Sequence, residues 1–530
     1  MKKVLLTIAM MAMAFAIAAG IASVPKETVK ADGDIEINAT NFPDDTMRWV
    51  VSAADTDGSG TLSQDEIDQV KGINAKNLHI SDLKGIEYFT ALEALDITGN
   101  ELTSIDLSKN TALAKLICSE NKLTGLDLSK NTALADLYCR ENQLTSLDVS
   151  KNTALEYLYC SSNQLTSLDV SKNTALTYLK CATNKLTDLD VSKNTALTNL
   201  ECATNKLTDL DVSNNTNLEV LDCEGNQLTS LDVSKNTALT TLSCDYNQLT
   251  SLDLSKNTAL TTLSCYHNQL TSLDVSHNAA LEKLYCFNND LESLDVSKNT
   301  ALTVLYCISN QLTSLDLSKN TALTTLLCYH DQLTSLDVSK NTALGYLNCT
   351  ENQINAIYTA KEPDQFSIFY DEGVKVIVLT ESDWNSKVEW KMNESDPSKT
   401  TATALFECTK EGATDYKVSE PMTIKITSSV AATCEKDGSV SLEATLPAEL
   451  SRTGNAISDA KTIKLSATGH SWGDWKVTRK ATVASEGEET RICKNDHSHK
   501  QTRKIAKLTP TPTAKPTAKP ANNATLTLNK

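Results

Sequence analysis

The chain has 530 residues, of which 5% are aromatic, and its formal net charge is -18. The length is sufficient for several domains, and so low an aromatic content is unusual for a globular enzyme. The acidic balance disfavours nucleic acid and anionic membrane surfaces as partners, because counterion release would then oppose binding.

Residues 1–31 have the pattern of a secretory signal peptide. Lys2 and Lys3 give a positive start, residues 4–24 are apolar, and Val29-Lys30-Ala31 offers a cleavage site with small residues. Cleavage predicts an exported protein, either secreted or attached to the cell surface through sequence beyond this chain. Retention of the segment as an anchor helix is the alternative. No other stretch is long enough to span a bilayer, so we expect no transmembrane segment after signal removal.

Residues 32–76 are predicted to form a helical cap. Helices at 43–54 and 64–70 flank a 12-residue loop that has the pattern of an EF-hand calcium site. The residues at its successive ligand positions are Asp55, Asp57, Ser59, Thr61, Ser63 and Glu66. We therefore expect one Ca²⁺ ion in this loop. The alternative is a cap that keeps the helix-loop-helix shape and binds no ion.

Residues 77–354 repeat one short unit. Twelve cysteines recur every 21 residues from Cys118 to Cys349, and residues 155–176 give one unit, LEYLYCSSNQLTSLDVSKNTAL. The pattern L-x-x-L-x-C-x-x-N-x-L resembles that of leucine-rich repeat proteins, whose units each add one strand to a stacked sheet. We count 13 strand units with apolar centres, plus a partial unit at 78–80. The predicted fold class is an α+β solenoid of parallel strands, with a helical EF-hand-like N-terminal cap and small C-terminal β-domains.

The repeated cysteines and asparagines are predicted to be structural. Equivalent cysteine side chains on strands about 4.8 Å apart point the same way, which makes the dihedral angle of a disulfide hard to reach. Each Cys is therefore expected to fill the core as a small apolar residue, with a disulfide ladder or bound metal as the alternative. The series from Asn100 to Asn352 is expected to be buried and to bond the backbone of neighbouring units, with Asp331 replacing Asn once.

Aromatic residues are concentrated at the strand positions that point away from the core. These positions flank the second Leu of the unit or follow Cys, and we expect them on the concave face. The predicted ligand-binding residues are Tyr138, Tyr157, Tyr159, Tyr178, Tyr246, Tyr266, Tyr285, Phe287, Tyr306, Tyr329 and Tyr346, joined by His267 and His330. These residues fall into two groups, one from Tyr138 to Tyr178 and one from Tyr246 to Tyr346. An acidic stretch lies between the two groups and consists of Glu201, Asp222, Glu224 and Asp245. Tyrosine is favoured at recognition surfaces, although aromatic residues also suit exposed strands by propensity.

The C-terminal part is predicted to contain small β-domains. Residues 355–428 alternate apolar and polar side chains and are expected to be immunoglobulin-like. Residues 429–508 read as two copies of one module that resembles a module of exported proteins from Gram-positive gut bacteria, on the segment GHSWGDW. A Pro/Thr-rich linker at 509–523 precedes residues 524–530, which we interpret as the start of a further immunoglobulin-like domain, so the chain is expected to be a fragment or to end early.

The layout as a whole resembles that of listerial internalins, which have an EF-hand-like cap, leucine-rich repeats and an immunoglobulin-like domain. The cap of that family lacks calcium ligands, so the resemblance supports the capping role and leaves the calcium prediction to the loop residues. No arrangement of Ser, Cys and His predicts catalysis, and Cys493, His497 and His499 give only half of a zinc site. We expect a monomeric, non-catalytic, adhesin-like protein that binds a protein ligand on a host or neighbouring cell. Glycan binding on the same face and a purely structural spacer are the alternatives.

Overall fold

A computed structural model of the chain describes residues 33–511. The predicted signal peptide, most of the Pro/Thr-rich linker and the segment 524–530 lie outside the described residues. The chain divides after Val378 into two units, which are treated separately. Within the described residues, no helix is long and apolar enough to cross a membrane.

The N-terminal cap is built from two short helices and one pair of short strands. Its elements are β1 (Ile35–Glu36), α1 (Asp45–Ser52), β2 (Thr61–Leu62) and α2 (Gln64–Gln69). The Asp44 side chain accepts hydrogen bonds from the first turn of α1 at Thr46 and Met47. Ser63 and Glu66 form a reciprocal capping box at the start of α2. Strand β2 pairs antiparallel with β1, so the loop before α2 is held by a strand of the same cap.

The cap shares one core with the repeats. Phe42, Met47 and Leu62 are completely buried and belong to the same apolar cluster as the repeat leucines. Gly85 of the first repeat lets the cap approach closely, because a Cβ atom at this position would overlap the ring of Phe42. Its φ of 98° also favours glycine. The cap thus covers the open N-terminal end of the solenoid, where the apolar core would otherwise meet water.

The repeats form one 15-stranded parallel sheet with a regular register. Its strands are β3 (Gly72–Asn74), β4 (Ala94–Asp96), β5 (Lys115–Ile117), β6 (Asp136–Tyr138), β7 (Tyr157–Tyr159), β8 (Tyr178–Lys180), β9 (Asn199–Glu201), β10 (Val220–Asp222), β11 (Thr241–Ser243), β12 (Thr262–Ser264), β13 (Lys283–Tyr285), β14 (Val304–Tyr306), β15 (Thr325–Leu327), β17 (Tyr346–Asn348) and β19 (Ser367–Phe369). The outer segments at the C-terminal end add a second parallel sheet of β16 (Ser335–Asp337), β18 (Ala356–Thr359) and β20 (Lys375–Val378). The predicted parallel-strand solenoid is confirmed.

The sheet extends beyond the predicted limits at both ends. Its first strand is Gly72–Asn74, so Leu78 and Ile80 stand at later positions of the first unit and not in a strand. At the other end, parallel pairing continues past 354 through Ser367–Phe369 and Lys375–Val378. These turns lack the Leu and Cys signature of the repeats, which explains why the sequence pattern places the boundary too early.

The repeated cysteines are core residues. All twelve, from Cys118 to Cys349, are at most 1% exposed and are free thiols. Burial raises the pKa of the Cys118 thiol to about 12, and the others are shifted in the same direction. The prediction that these side chains pack as small apolar residues is confirmed by their burial.

Two series of buried asparagines tie each turn to the one before it. In the predicted series, Asn142 Nδ2 donates to the carbonyl oxygen of Cys118 in the preceding turn, and its Oδ1 accepts from the N–H of Leu123. A second series, from Asn110 to Asn341 in the S-K-N segment, was not predicted. Asn194 of that series donates to the carbonyl oxygens of Val170 and Asn173. Both series satisfy backbone groups that the tight turns would leave unpaired.

The C-terminal unit consists of three small antiparallel sheets. They are β21 (Trp384–Lys391), β22 (Thr401–Cys408) and β23 (Lys417–Pro421); β24 (Thr423–Val430), β25 (Gly438–Leu446) and β26 (Ile457–Leu465); and β27 (Lys476–Arg479), β28 (Gly487–Ile492) and β29 (Lys500–Ile505). The immunoglobulin-like prediction for 355–428 is not confirmed. Residues up to Val378 belong to the solenoid, and the remainder contains one complete three-stranded sheet, whereas that fold needs two packed sheets.

The second and third of these sheets share one local design. A Cβ atom at Gly438 would lie 2.4 Å from the carbonyl oxygen of Val430, and one at Gly487 would lie 2.7 Å from that of Arg479. Each glycine therefore lets a strand pass close to the preceding chain. We refer to 423–465 as the first module and to 466–508 as the second module.

Candidate functional site

The outward side of the 15-stranded sheet carries the predicted ligand-binding residues. In the strands from β4 to β17 of this sheet the central Leu is buried, and in most of them its two neighbours are half-buried. Tyr157, Tyr178 and Tyr346 precede that Leu, and Tyr138, Tyr159, Tyr285 and Tyr306 follow it; Tyr266, Phe287 and Tyr329 come after Cys, and Tyr246 comes one residue later. All eleven side chains therefore reach the outer surface, at the strands or in the turn that follows them.

Four tyrosines form a first aromatic cluster on β6, β7 and β8. Tyr138 and Tyr159 meet edge to face with ring centroids 4.6 Å apart, and Tyr157 stacks on Tyr178 at 4.9 Å. The ammonium group of Lys180 lies 5.1 Å from the centroid of the Tyr159 ring. Such ring pairs contribute about 0.5–1.5 kcal/mol each beyond the area they bury. The first aromatic cluster is therefore a preformed surface.

Tyr246, Tyr266, His267 and Phe287 form a second aromatic cluster. Tyr266 stacks on Phe287 with centroids 4.1 Å apart, and Tyr246 stacks on His267 at 4.3 Å. The two stacks meet edge to face through Tyr246 and Tyr266, at 5.3 Å. All four rings are thus in contact within one compact group.

The remaining predicted tyrosines lie in smaller groups. Tyr285 meets Tyr306 at 5.1 Å, and Tyr346 lies 5.5 Å from Phe369, which the sequence did not suggest. Tyr329 lies beside His330, whose ring nitrogen is 2.8 Å from the carboxylate of Glu351. These side chains therefore form smaller ring groups beside the two aromatic clusters.

The turn after each strand has a left-handed backbone that favours glycine. Gly99 and Gly225 have positive φ there, and so do the Glu, Ser, Thr, Asn and His residues at the same position of other units; φ is 49° at Tyr246 and 51° at His267. A side chain in this region costs of order 1 kcal/mol or more. Tyr246 is also 49% exposed, so the burial of its ring does not account for its presence.

The acidic stretch between the clusters differs from the prediction at Asp245. This carboxylate is 1% exposed and accepts hydrogen bonds from the hydroxyls of Ser243 and Ser264 and from the N–H of Tyr266. Burial raises the pKa of Asp245 to about 6, although these hydrogen bonds lower it. Asp245 therefore holds the backbone at Tyr266 from beneath and does not present charge to a partner.

The other acidic residues remain nearer the surface. Glu201 pairs with Lys180 at 2.7 Å, which places an ion pair at the edge of the first aromatic cluster. Burial raises the pKa of Asp222, and the charge of Glu224 raises it further.

The predicted calcium loop brings three carboxylates together. One oxygen each of Asp55, Asp57 and Glu66 lies within 4.8 Å of the others. Partial burial raises the pKa of Glu66, but hydrogen bonds from Ser63 and Thr56 outweigh it and lower the pKa to about 2.

The other three predicted ligands line the same loop. Ser59 Oγ lies 2.9 Å from Thr61 Oγ1 and 3.2 Å from the carbonyl oxygen of Thr61, and Ser63 Oγ donates to Glu66. Carboxylate, hydroxyl and carbonyl oxygens are the donor set that Ca²⁺ prefers. The residues present therefore fit the ion, whereas the EF-hand assignment of the cap as a whole is not confirmed.

Comparison with known proteins agrees with this architecture. Residues 153–194 match the family "Leucine Rich repeats (2 copies)". Internalin J of Listeria monocytogenes is 41% identical over 87 residues, which are 16% of this chain and span only 9% of that relative. The solved functional domain of InlJ from the same organism, which includes a cysteine ladder, is 34% identical, with a TM-score of 0.57 over 74% of this chain and 100% of that one. A listerial internalin (inlF) is 25% identical, with a TM-score of 0.51 over 61% of this chain and 93% of its own. The chain therefore belongs to the internalin-like leucine-rich repeat proteins.

Proposed function

We propose that this protein is a non-catalytic, adhesin-like binding protein that recognises a protein ligand with the two aromatic clusters of its sheet. The observation that carries the proposal is the pairing of rings across adjacent strands on the outward face. Other units use polar, charged or aliphatic residues at the same positions. Rigid aromatic side chains give a large contact area at low entropic cost, which is why they are frequent at interfaces.

The second aromatic cluster supports this proposal most strongly. Tyr246 is half exposed although its ring is large, and it stacks on His267 of the next unit. Asp245, which is buried beneath, accepts hydrogen bonds from the backbone N–H of Tyr266 and from two neighbouring hydroxyls. Large rings that are held at the surface without filling the core are typical of a binding surface.

Ring geometry favours a protein ligand over a glycan. A sugar ring stacks on the free face of an aromatic side chain, but Tyr266 and Phe287 cover one face of each other, as do Tyr246 and His267. The combined surface offers edges and hydroxyl groups distributed over three strands, which suits a protein surface.

Binding to intact cells tests the proposal. Labelled protein is added to mucosal epithelial cells and to bacterial cells that are untreated, protease-treated or glycosidase-treated. We expect saturable binding that protease treatment abolishes and glycosidase treatment leaves intact. Loss with glycosidase alone would support glycan recognition, and no saturable binding to any cell type would support a structural spacer.

We also propose that the cap loop binds one Ca²⁺ ion through Asp55, Asp57, Ser59, Thr61, Ser63 and Glu66. The support is the convergence of three carboxylates within 4.8 Å, together with the hydroxyl groups that line the same loop. Bound calcium would neutralise these charges and fix the loop between α1 and α2 without taking part in any reaction. Pairing of β2 with β1 gives this single loop the strand partner that a second EF-hand would otherwise supply.

Export is proposed from the sequence of residues 1–31, with the mature chain secreted or attached to the cell surface as a monomer. The pattern of positive start, apolar stretch and small-residue site supports it. Mass spectrometry of the N-terminus of protein from culture medium and from the cell wall tests it. We expect the mature chain to start at Asp32, and an intact Met1 would contradict export by cleavage.

A further inference from the structure

Four candidate metal ligands come together in the C-terminal unit. Cys434 lies in the turn between β24 and β25, His470 follows β26, Cys493 follows β28, and His499 precedes β29. The sulfur of Cys434 and a ring nitrogen of His470 and of His499 all lie within 4.8 Å of one another. The sulfur of Cys493 is 3.6 Å from that of Cys434. One ligand, Cys434, therefore comes from the first module, and His470, Cys493 and His499 come from the second.

The sequence pattern predicts only half of this cluster. Cys493, His497 and His499 are close in the chain, but their complement, Cys434 and His470, precedes Cys493 by 59 and 23 residues. Within residues 33–511, the group of ligand atoms that all lie within 4.8 Å of one another contains Cys434, His470 and His499 and leaves out His497. Cys493 is also outside that group and joins the cluster through its contact with Cys434. The fold thus supplies the second ligand pair that the sequence lacks.

The sulfur–sulfur and nitrogen–nitrogen distances are close to those of a tetrahedral zinc site. With Zn–S of about 2.3 Å and Zn–N of about 2.1 Å, tetrahedral geometry separates two sulfurs by about 3.8 Å and two nitrogens by about 3.4 Å. The two sulfurs here are 3.6 Å apart, and Nε2 of His470 lies 3.0 Å from Nδ1 of His499. A disulfide would bring the sulfurs to about 2.0 Å.

The surroundings orient the ligands. Trp472 stacks on the His470 ring at 4.7 Å, and the backbone of Trp472 pairs with that of Cys493. The N–H of Cys493 donates to the carbonyl oxygen of His499 at 3.0 Å. The other ring nitrogen of His499, Nε2, lies 3.8 Å from the carboxylate of Glu435. Carboxylates beside ligating histidines are the usual outer support of a zinc site.

The second module has almost no core of its own. Between residues 466 and 511, only Gly487 and Cys493 are buried. So small a three-stranded sheet needs a disulfide, a metal ion or another covalent or coordinative restraint to remain folded. Cys493 is thus the single buried side chain of this segment, and it lies at the cluster.

From these observations we propose that Cys434, His470, Cys493 and His499 bind one zinc ion that joins the two modules. The site is closed, with four protein ligands, and is therefore structural. Binding requires loss of the two thiol protons, so the pair of thiolates neutralises the charge of the ion. The proposal is independent of the proposed ligand-binding face.

Metal analysis of the full chain tests this proposal. The protein is purified without chelators, and its zinc content is measured by elemental mass spectrometry. We expect about one zinc per chain, and absorption bands of thiolate coordination after exchange with Co²⁺. Cys434→Ser and His499→Gln should lose the zinc and the bands, and should speed tryptic cleavage within 476–505.

Matched variants separate loss of a ligand from loss of fold. His497→Gln removes a neighbouring histidine and should keep full zinc content, as should Cys408→Ser, which alters a buried thiol outside the cluster. His470→Cys should retain zinc while His470→Ala loses it, because a thiolate can replace the imidazole. If the unaltered chain contains zinc only at the background level, the proposal is overturned. It is also overturned by a Cys434–Cys493 disulfide formed in the presence of excess zinc, or by full zinc content in Cys434→Ser.

Discussion

Tyr246 stacks on His267 with ring centroids 4.3 Å apart and planes 13° from parallel, and both residues have a left-handed backbone. Every unit from Gly99 to Glu351 has this left-handed conformation at the equivalent position, so the conformation belongs to the repeat and not to the two rings. These two adjacent turns differ from the others because they place two stacked rings at the surface. The stacked pair therefore identifies the second aromatic cluster as a surface feature that the repeat itself does not require.

The twelve repeated cysteines, from Cys118 to Cys349, are the ladder cysteines, and their thiols are expected to be unreactive in the folded protein. Burial raises the pKa of Cys118, Cys160 and Cys349 to about 12, so their thiolate forms are negligible at pH 8. Iodoacetamide should leave all twelve ladder cysteines unmodified in native protein and modify them after urea denaturation, as read by peptide mass spectrometry. Rapid labelling of native Cys223, or a peptide in which it is linked to Cys244, would contradict this account.

Asp331→Asn is expected to stabilise the solenoid. Asp331 Oδ1 accepts from the N–H groups of Asn310 and Leu312, but its buried Oδ2 has no hydrogen-bond partner within the described chain. An asparagine would add Nδ2 donors, as Asn310 does toward the carbonyl oxygen of Cys307 at 2.8 Å. We expect a gain of about 1–3 kcal/mol in the free energy of unfolding at pH 7.5.

The pH dependence of that gain follows from the raised pKa of Asp331. Burial raises it to about 6, above the value of about 3.9 in the unfolded chain. Between these values the folded state retains a proton that the unfolded state loses, so stability falls as pH rises from about 4 to about 6 and then levels off. The advantage of Asp331→Asn should therefore disappear near pH 4. Asp290→Asn, at an exposed site, is the control, and a gain independent of pH would contradict the assignment.

Calcium is expected to stabilise the cap. In the presence of about 1 mM calcium, differential scanning calorimetry should give a higher melting temperature for the unaltered chain than in excess chelator. Asp55→Asn with Glu66→Gln should remove the difference, because both variants take away carboxylate ligands. Asp65→Asn, an exposed site in α2, should preserve it. Equal melting temperatures for the unaltered chain with calcium and with chelator would show that the loop only caps the solenoid.

The 21-residue period was sufficient to predict the sheet register, because each unit places its Leu and Cys inward and its flanking residues outward. The Leu221 to Leu242 pairing of β10 with β11 follows that period directly. The same pattern could not indicate that the parallel sheet runs on through Ser367–Phe369, since those residues pair without the repeat signature. The period does not indicate the second asparagine series, because the S-K-N segment hardly varies between units and its pattern does not distinguish buried side chains from those of an exposed turn.

The candidate sites were harder to predict from the sequence than the fold was. Alternation along a strand indicates the face on which a side chain lies but not how deeply the side chain is buried. The sequence therefore places Asp245 at the surface, whereas the structure buries its carboxylate. The cluster of Cys434, His470, Cys493 and His499 depends on the packing of one module on the next, and residues 59 apart give no spacing signal. Contacts between modules therefore cannot be predicted from the period of the repeats.

The most direct test of ligand recognition by the aromatic clusters is a titration of protease-sensitive cell binding with matched double variants. Tyr246→Ser with Tyr266→Ser alters the second aromatic cluster, and Lys235→Ser with Lys256→Ser alters exposed outer segments of two adjacent units in the same region. Unchanged circular dichroism and melting temperature would establish that both variants fold. We predict that the tyrosine variant needs at least about tenfold more protein for half-maximal binding, as expected when interface anchors are lost, while the lysine variant binds as the unaltered chain does. Equal binding by the tyrosine variant and the unaltered chain would contradict the account.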